Sequence, residues 1–253
     1  MHYRHAPQRD YSDFASGRVI LSAPNHAAYP VRLASEIFQR CLVWLDGVGK
    51  QEPVTIYDPC CGAASHLTAL GLLHGDRIGR IVASDIDANT LATAAQNLAL
   101  LQSGGMQQRL AKIEQMLTSF GKESHRAAMM SANRFLAQLE QREQQRPITV
   151  DLFQADALMS APVPNRLQPC SVDVVFCDVP HGQLVTWQGF AQADAPPLGS
   201  MLDALQEKLR CGSLVAISAD KRQKITHTAY QRLEKFKVGK RQIAILRLNE
   251  TQT

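Results

Sequence analysis

Short apolar runs, several of them closing on an acid, alternate along the chain with longer segments whose apolar residues recur at helical spacing. The run Val54-Thr55-Ile56-Tyr57 is rich in β-branched residues and closes on Asp58-Pro59, which predicts a buried strand. Small residues carry a turn to Ser65. Leu67, Leu70, Leu72 and Leu73 then follow a helix, which His74-Gly75 stops. The same unit recurs. Residues 80–87 predict a second strand, and a helix follows over about 89–101. Strands are also predicted at 148–153, 171–178 and 212–218, the last after a helix over about 198–209. Phe236-Lys237-Val238 and residues 241–248, separated by Gly239-Lys240, predict a closing hairpin. The pattern is that of an α/β protein with a seven-stranded, mostly parallel sheet and helices on both faces.

Two stretches stand outside the alternation. Residues 1–47 form an extension: a strand-like run at Arg18–Ser22, then a helix begun by Pro30 and carried by Val31, Ala34, Phe38, Cys41, Leu42 and Leu45. Its first 29 residues suit a lid or an RNA-contacting arm. Residues 103–146 predict an inserted helical hairpin. One stripe is Leu110, Ile113, Leu117 and Phe120; the other is Met129, Ala132, Phe135 or Leu136, and Leu139; Gly121-Lys122 separates them. Such a short insertion makes a poor core alone, so one domain over 1–253 is expected.

Charge changes this picture at one end. Residues 208–253 carry 11 Lys/Arg against 3 Asp/Glu, and the remaining 207 residues carry 16 against 20. A basic end on a slightly acidic body suits a polyanion partner. Lys221, Arg222, Lys224, Lys237, Lys240 and Arg241 are candidate phosphate contacts, and Trp187 is a candidate to stack on a nucleotide. No window is apolar enough to span a membrane, and the N-terminus lacks a signal-peptide core, so a cytoplasmic protein is expected. The six cysteines show no zinc-ligand spacing; reduced, packed thiols and no metal are expected.

The turn after the first strand lacks G-x-G-x-x-G, and its acid would repel phosphates while attracting a cation. A ligand combining nucleoside, sulfonium and ammonium groups fits, which points to S-adenosylmethionine. Asp58, Pro59, Cys60 and Gly62 are its candidate loop. Asp85, with Ile86, ends the second strand, where an acid suits ribose hydroxyls. Asp87 suits the start of the next helix. Asp156, with Ala157, follows the third strand and suits an adenine amino group. The fourth strand runs into Asp178-Val179-Pro180-His181. Asp178 and the Val179 carbonyl can hold the two N–H groups of a base's exocyclic amine, Pro180 contributes no competing N–H, and His181 can stack on the ring. Cys177 and Cys170 are the rival nucleophiles, but one precedes the acid on a strand and the other precedes the strand, so neither is poised at the crevice.

These motifs together resemble class I S-adenosylmethionine-dependent methyltransferases acting on exocyclic amines. Ser22-Ala23-Pro24, Tyr29–Ala34, Glu36–Arg40, Leu70–His74 and Asn97–Leu101 resemble more closely the avilamycin-resistance rRNA methyltransferase (AviRa) family. The resemblance implies a Rossmann-like class I methyltransferase fold and methylation of a guanine in 23S rRNA, in the free RNA or the large ribosomal subunit, near the orthosomycin site. It implies avilamycin resistance as the consequence. Exocyclic N2 is the expected atom, and a monomer the expected state. The family pattern has Gly-Ser-Gly-Tyr where this chain has Gly62-Ala63-Ala64-Ser65-His66, so Ala64 is expected to hinder close backbone approach to the cofactor. The family also has tyrosine where His181 stands. The alternatives are a protein glutamine N-methyltransferase and a non-catalytic ribosome-binding relative.

Overall fold

The computed structural model describes residues 3–23, 28–159, 171–180, 187 and 196–249. The elements run α1 (Val31–Gly47), β1 (Val54–Asp58), α2 (Ser65–His74), β2 (Ile78–Asp85), α3 (Ala88–Ala99), α4 (Ser103–Phe120), α5 (Glu123–Glu143), β3 (Thr149–Gln154), β4 (Val172–Asp178), α6 (Pro197–Gln206), β5 (Leu209–Asp220), β6 (Tyr230–Val238) and β7 (Arg241–Leu248). The seven strands form one sheet in the order β3-β2-β1-β4-β5-β7-β6, with β7 antiparallel to both neighbours and the other pairings parallel. This is the Rossmann-like sheet that the sequence predicts, doubly wound with one antiparallel strand.

Central strands are apolar on both sides because both faces are covered. In β4, Val174 and Phe176 join the core beneath α1 to α5, whereas Val175 and Cys177 join a second core with Leu198, Met201 and Leu202 of α6. β1 divides the same way, Ile56 to the first core and Tyr57 to the second. Strand order reverses between β1, which pairs with β2 on one side, and β4 on the other. That reversal opens a crevice at the strands' carboxyl ends.

The helical hairpin packs on the first core through Met106, Ile113, Ala128, Ala132, Phe135 and Leu139. Gly121 closes α4 in the left-handed conformation, φ 62°, and its N–H reaches the Leu117 carbonyl at 2.8 Å. Phe120, expected in the stripe, is instead 67% exposed at the tip, and Met106 is the fully buried residue at the other end of α4. The tip turns away from the core, so its last apolar residue has nothing to cover it.

The run at Arg18–Ser22 is not a strand. Val19 and Ile20 are both fully buried, which alternation in a half-covered strand would not allow. Side chains satisfy this backbone instead. Arg109 of α4 donates to the Arg18 and Val19 carbonyls at 2.9 Å each. Asn97 of α3, wholly buried, accepts from Leu21 N at 2.7 Å and donates to Leu21 O at 3.0 Å and Ala63 O at 2.8 Å. Phe14 packs on Phe135, ring centroids 5.0 Å apart, and Asp13 accepts from Ser131 of α5. The arm is therefore a wall held by the inserted hairpin. Pro30 sits one position earlier than expected, as the N-cap of α1.

Asn97→Ala would strand three backbone groups, at roughly 1–3 kcal/mol for each one that water cannot reach. A loss on the order of 3 kcal/mol is expected in urea unfolding; an unchanged midpoint would show that the arm is not held by this side chain. His74, bonded to Ser35 Oγ at 2.9 Å, is pushed by burial down to about 4, against an opposing Asp76. Its neutral form belongs to the fold. This contribution is whole above the ordinary value of about 6.5 and is lost as pH falls toward 4, at most about 3 kcal/mol. Urea titrations across that range should show a shallower acid loss for His74→Gln than for the unaltered protein.

Candidate functional site

A cavity of about 750 Å³ lies over the carboxyl ends of β1, β2 and β4, within the range that holds a nucleoside-sized ligand. The arm closes one side through Leu21, Ser22 and Tyr29. From the loop after β1 come Pro59, Cys60 and Gly62; from the ends of β2 and β3, Asp85, Ile86, Asp156 and Ala157. Asp178, Val179 and Pro180 follow from β4, with Trp187 beside them. Lys221, Arg222, Lys240 and Arg241 complete the far end. Lys224 and Lys237 are exposed and do not line the cavity. His181 and Cys170 lie outside the described residues.

Asp58 does not face the cavity. Its side chain is fully buried beneath the loop, where Oδ1 accepts from Cys60 N at 2.9 Å. Oδ2 lies 2.9 Å from His66 Nε2, though at an angle that makes no hydrogen bond. His66 is in turn packed by Tyr29 and Phe176, centroids 5.7 and 5.2 Å away. The acid shapes the turn rather than touching a ligand, because a two-residue Asx turn draws it inward. Ala64 is likewise fully buried and off the lining. It obstructs nothing; its cost is the left-handed backbone, φ 53°, about 1 kcal/mol for an alanine.

Asp85 ties the loops together. Oδ2 accepts from Gly62 N at 2.8 Å and Oδ1 from Asp87 N at 3.0 Å, leaving lone pairs free for the cavity. Burial raises its pKa, opposed by those two N–H bonds. Asp87 caps α3, accepting from Asn89 N at 2.9 Å and Thr90 Oγ1 at 2.8 Å. Asp156 accepts from Leu158 N at 2.9 Å. The Cys60 and Cys177 thiols are hydrogen-bonded to each other. This lowers the Cys60 pKa, but burial and nearby carboxylates leave it raised; Cys177 is held well above its ordinary value. Neither is a thiolate, so neither is an activated nucleophile.

The corner at the turn after β4 differs from expectation in one residue. Arg241, anticipated as a phosphate contact, is half-buried and reaches Asp178, Nη2 to Oδ2 3.4 Å, with its guanidinium 5.2 Å from the Tyr29 ring centroid. Register explains this: Asp178 pairs with Ser218 on β5, and β7 lies on the far side of β5, so a side chain entering β7 can cross its end. Tyr29 carries no site role in the sequence reading. Burial raises its pKa beyond the titrating range, and its hydroxyl stays protonated beside Asp178 and Ser218. Its sequence signal was only an aromatic residue preceding Pro30.

Charge is thus divided. Carboxylates at Asp85, Asp87 and Asp156 surround one end, where a cationic nucleoside fits and phosphates do not. Lys221, Arg222 and Lys240 stand exposed at the other, although Arg222 is also paired to Asp220 at 3.0 Å.

The sequence model of the family described as rRNA methyltransferase AviRa matches residues 1–241. A relative from Streptomyces viridochromogenes, a 23S rRNA (guanine(2535)-N(1))-methyltransferase, is 39% identical over 249 residues, 97% of this chain and 95% of that protein. Two solved structures of rRNA methyltransferase AviRa from the same organism superpose with TM-scores of 0.85 and 0.84, at 36% and 37% identity, covering 98% of this chain and 96% of theirs.

Asp85→Asn would turn an amide N–H toward a backbone N–H and strand one donor, at about 1–3 kcal/mol. Lower thermal stability and an S-adenosylmethionine affinity weakened at least about tenfold are expected by calorimetry. Unchanged affinity would remove Asp85 from the ligand site.

Proposed function

This chain belongs to the rRNA methyltransferase AviRa family, and from that premise we propose that it moves a methyl group from S-adenosylmethionine to a guanine of 23S rRNA. The observation that carries the reading is the divided cavity, acidic where a nucleoside sulfonium would lie and basic where RNA would enter, with Asp178-Val179-Pro180 at the boundary. Asp85 would take the ribose hydroxyls and Asp156 the adenine amino group. Ile86 and Ala157 would flank the adenine, and Pro59, Cys60 and Gly62 would hold the methionine part. S-adenosylmethionine, when bound, supplies a methyl on a positively charged sulfur, so the protein's work is positioning and proton management.

N1 replaces exocyclic N2 as the proposed atom. The turn after β4 suits either edge nitrogen, and the Streptomyces relative is a guanine N1 enzyme. N1 carries one hydrogen and its ring lone pair is delocalised, so an acceptor must draw the proton away; Asp178 is that acceptor. His181, next after Pro180, is the candidate stacking group. The exposed Lys221, Arg222, Lys224, Lys237 and Lys240 are the candidate phosphate contacts, with Trp187 as a base platform. Modification near the orthosomycin site would lower avilamycin susceptibility in a host carrying the protein.

Incubation of 23S rRNA or large subunits with methyl-labelled S-adenosylmethionine, followed by nuclease digestion and mass spectrometry, tests this. The expected product is 1-methylguanosine at one nucleotide, visible as a reverse-transcription stop, with the rate reduced at least about 100-fold in Asp178→Ala. Label found only in protein, only on exocyclic N2, or nowhere would each reject the proposed reaction.

A further inference from the structure

Two buried polar atoms at the corner after β4, Asp178 Oδ1 and Arg241 Nε, lack a hydrogen-bond partner among the described residues, and Tyr29 Oη and Ser218 Oγ beside them have none but each other. Buried polar groups are ordinarily satisfied, so a cluster of exceptions marks where a ligand's polar atoms belong. The one contact between the charged pair, 3.4 Å, is long beside the 2.7–2.9 Å of a tight charge-assisted bond. Arg241 is nevertheless not loose. The Tyr29 ring lies against its guanidinium, and Tyr29 is itself set edge-on to Phe176 at 5.8 Å.

A guanidinium beside a carboxylate presents donors next to acceptors. The Watson–Crick edge of guanine presents the complement: the O6 acceptor, then N1–H, then the N2 amino donors. Adenine inverts the first two positions, setting its amino group against the guanidinium and its N1 lone pair against the carboxylate. We propose that Arg241 is not an RNA-phosphate contact but the residue that binds guanine O6 while Asp178 binds the N1–H side, so that Arg241 both selects guanine and stabilises the reacting base. This rests on the N1 reading above. In the reaction the N1–H bond breaks, its proton passing to the Asp178 carboxylate and its electron pair staying on the ring. That charge spreads to O6, where the Arg241 N–H groups oppose it. The N1–methyl bond then forms as the methyl–sulfur bond breaks; its pair stays on sulfur, which becomes a neutral thioether. Asp178 releases the proton to water. Tyr29 acts as a positioning residue, holding the guanidinium plane.

The test is single-turnover methylation by Arg241→Ala, with Arg241→Lys as a charge-keeping second variant should Ala fail to fold. At neutral pH the Ala variant is expected to lose about 100-fold or more in rate, the scale of removing one transition-state donor, with S-adenosylmethionine affinity unchanged. Its rate should climb with pH, by up to about tenfold per unit, since the negative charge on O6 is no longer opposed and solution pH rather than Arg241 now favours the N1 anion, and added guanidinium ion should restore part of it. The Lys variant should fall between, having charge without the planar fork. Wild-type rate and pH profile in either variant, with RNA binding weakened and its salt slope reduced by about one, would make Arg241 a phosphate contact and overturn the proposal alone. A wild-type product other than 1-methylguanosine would overturn the N1 reading and this proposal with it.

Discussion

The parallel pairing of Ile56 with Val174 and Tyr57 with Val175 is the constraint from which the carboxyl edge follows. Because β1 and β4 are neighbours in space but far apart in sequence, the chain leaves them toward opposite halves of the sheet, and no element can cover the gap at their ends. The loop after β1 and the turn after β4 must therefore face one another there. Neither could hold a ligand alone. Both strands are apolar on both sides, so a one-residue slip would exchange the two cores and carry Asp178 out of the crevice.

What closes the crevice comes from outside the sheet. The N-terminal arm buries Val19 and Ile20 without offering a strand edge, and its carbonyls are met by Arg109 and Asn97. The helical insertion thus has a structural task beyond its own packing: it fixes the wall that carries Leu21 and Tyr29 to the cavity. Asn97 binds both the arm and the Ala63 carbonyl, so one side chain ties the wall to the loop after β1.

The division of charge reconciles two partners in one opening. A cationic nucleoside and a polyanionic RNA would compete if the charges were mixed. Here carboxylates gather where β2 and β3 end, and cations gather where β5 and β7 meet. Gln242, almost wholly buried, donates to the Asp220 carbonyl at 3.0 Å and helps hold the turn that carries Lys221 and Arg222. Arg241 and Asp178 stand at the boundary, the point at which a base would meet a methyl donor.

Much of this was legible locally. The apolar runs, the acids that end them, the Gly121 turn and the hairpin at Gly239 are features in which neighbouring residues decide the outcome, through burial periodicity or backbone sterics. The helices α2 and α3 and the capping role of Asp87 are of this kind. Other features depended on partners remote in the chain. Arg18–Ser22 has the composition of a strand, but its hydrogen bonds go to side chains of α3 and α4. Asp58 is the local exception, turned inward by the Cys60 amide two residues on, with His66 beside it. Arg241 reads as one cation in a basic segment until the sheet order carries it across β5 to Asp178. Sequence by itself determined which elements form and which acids end them, because those are short-range questions of periodicity and turn chemistry. Only the tertiary structure decided which charges face the cavity, because a polar side chain takes whichever partner folding brings within reach, and here those partners lie tens of residues away.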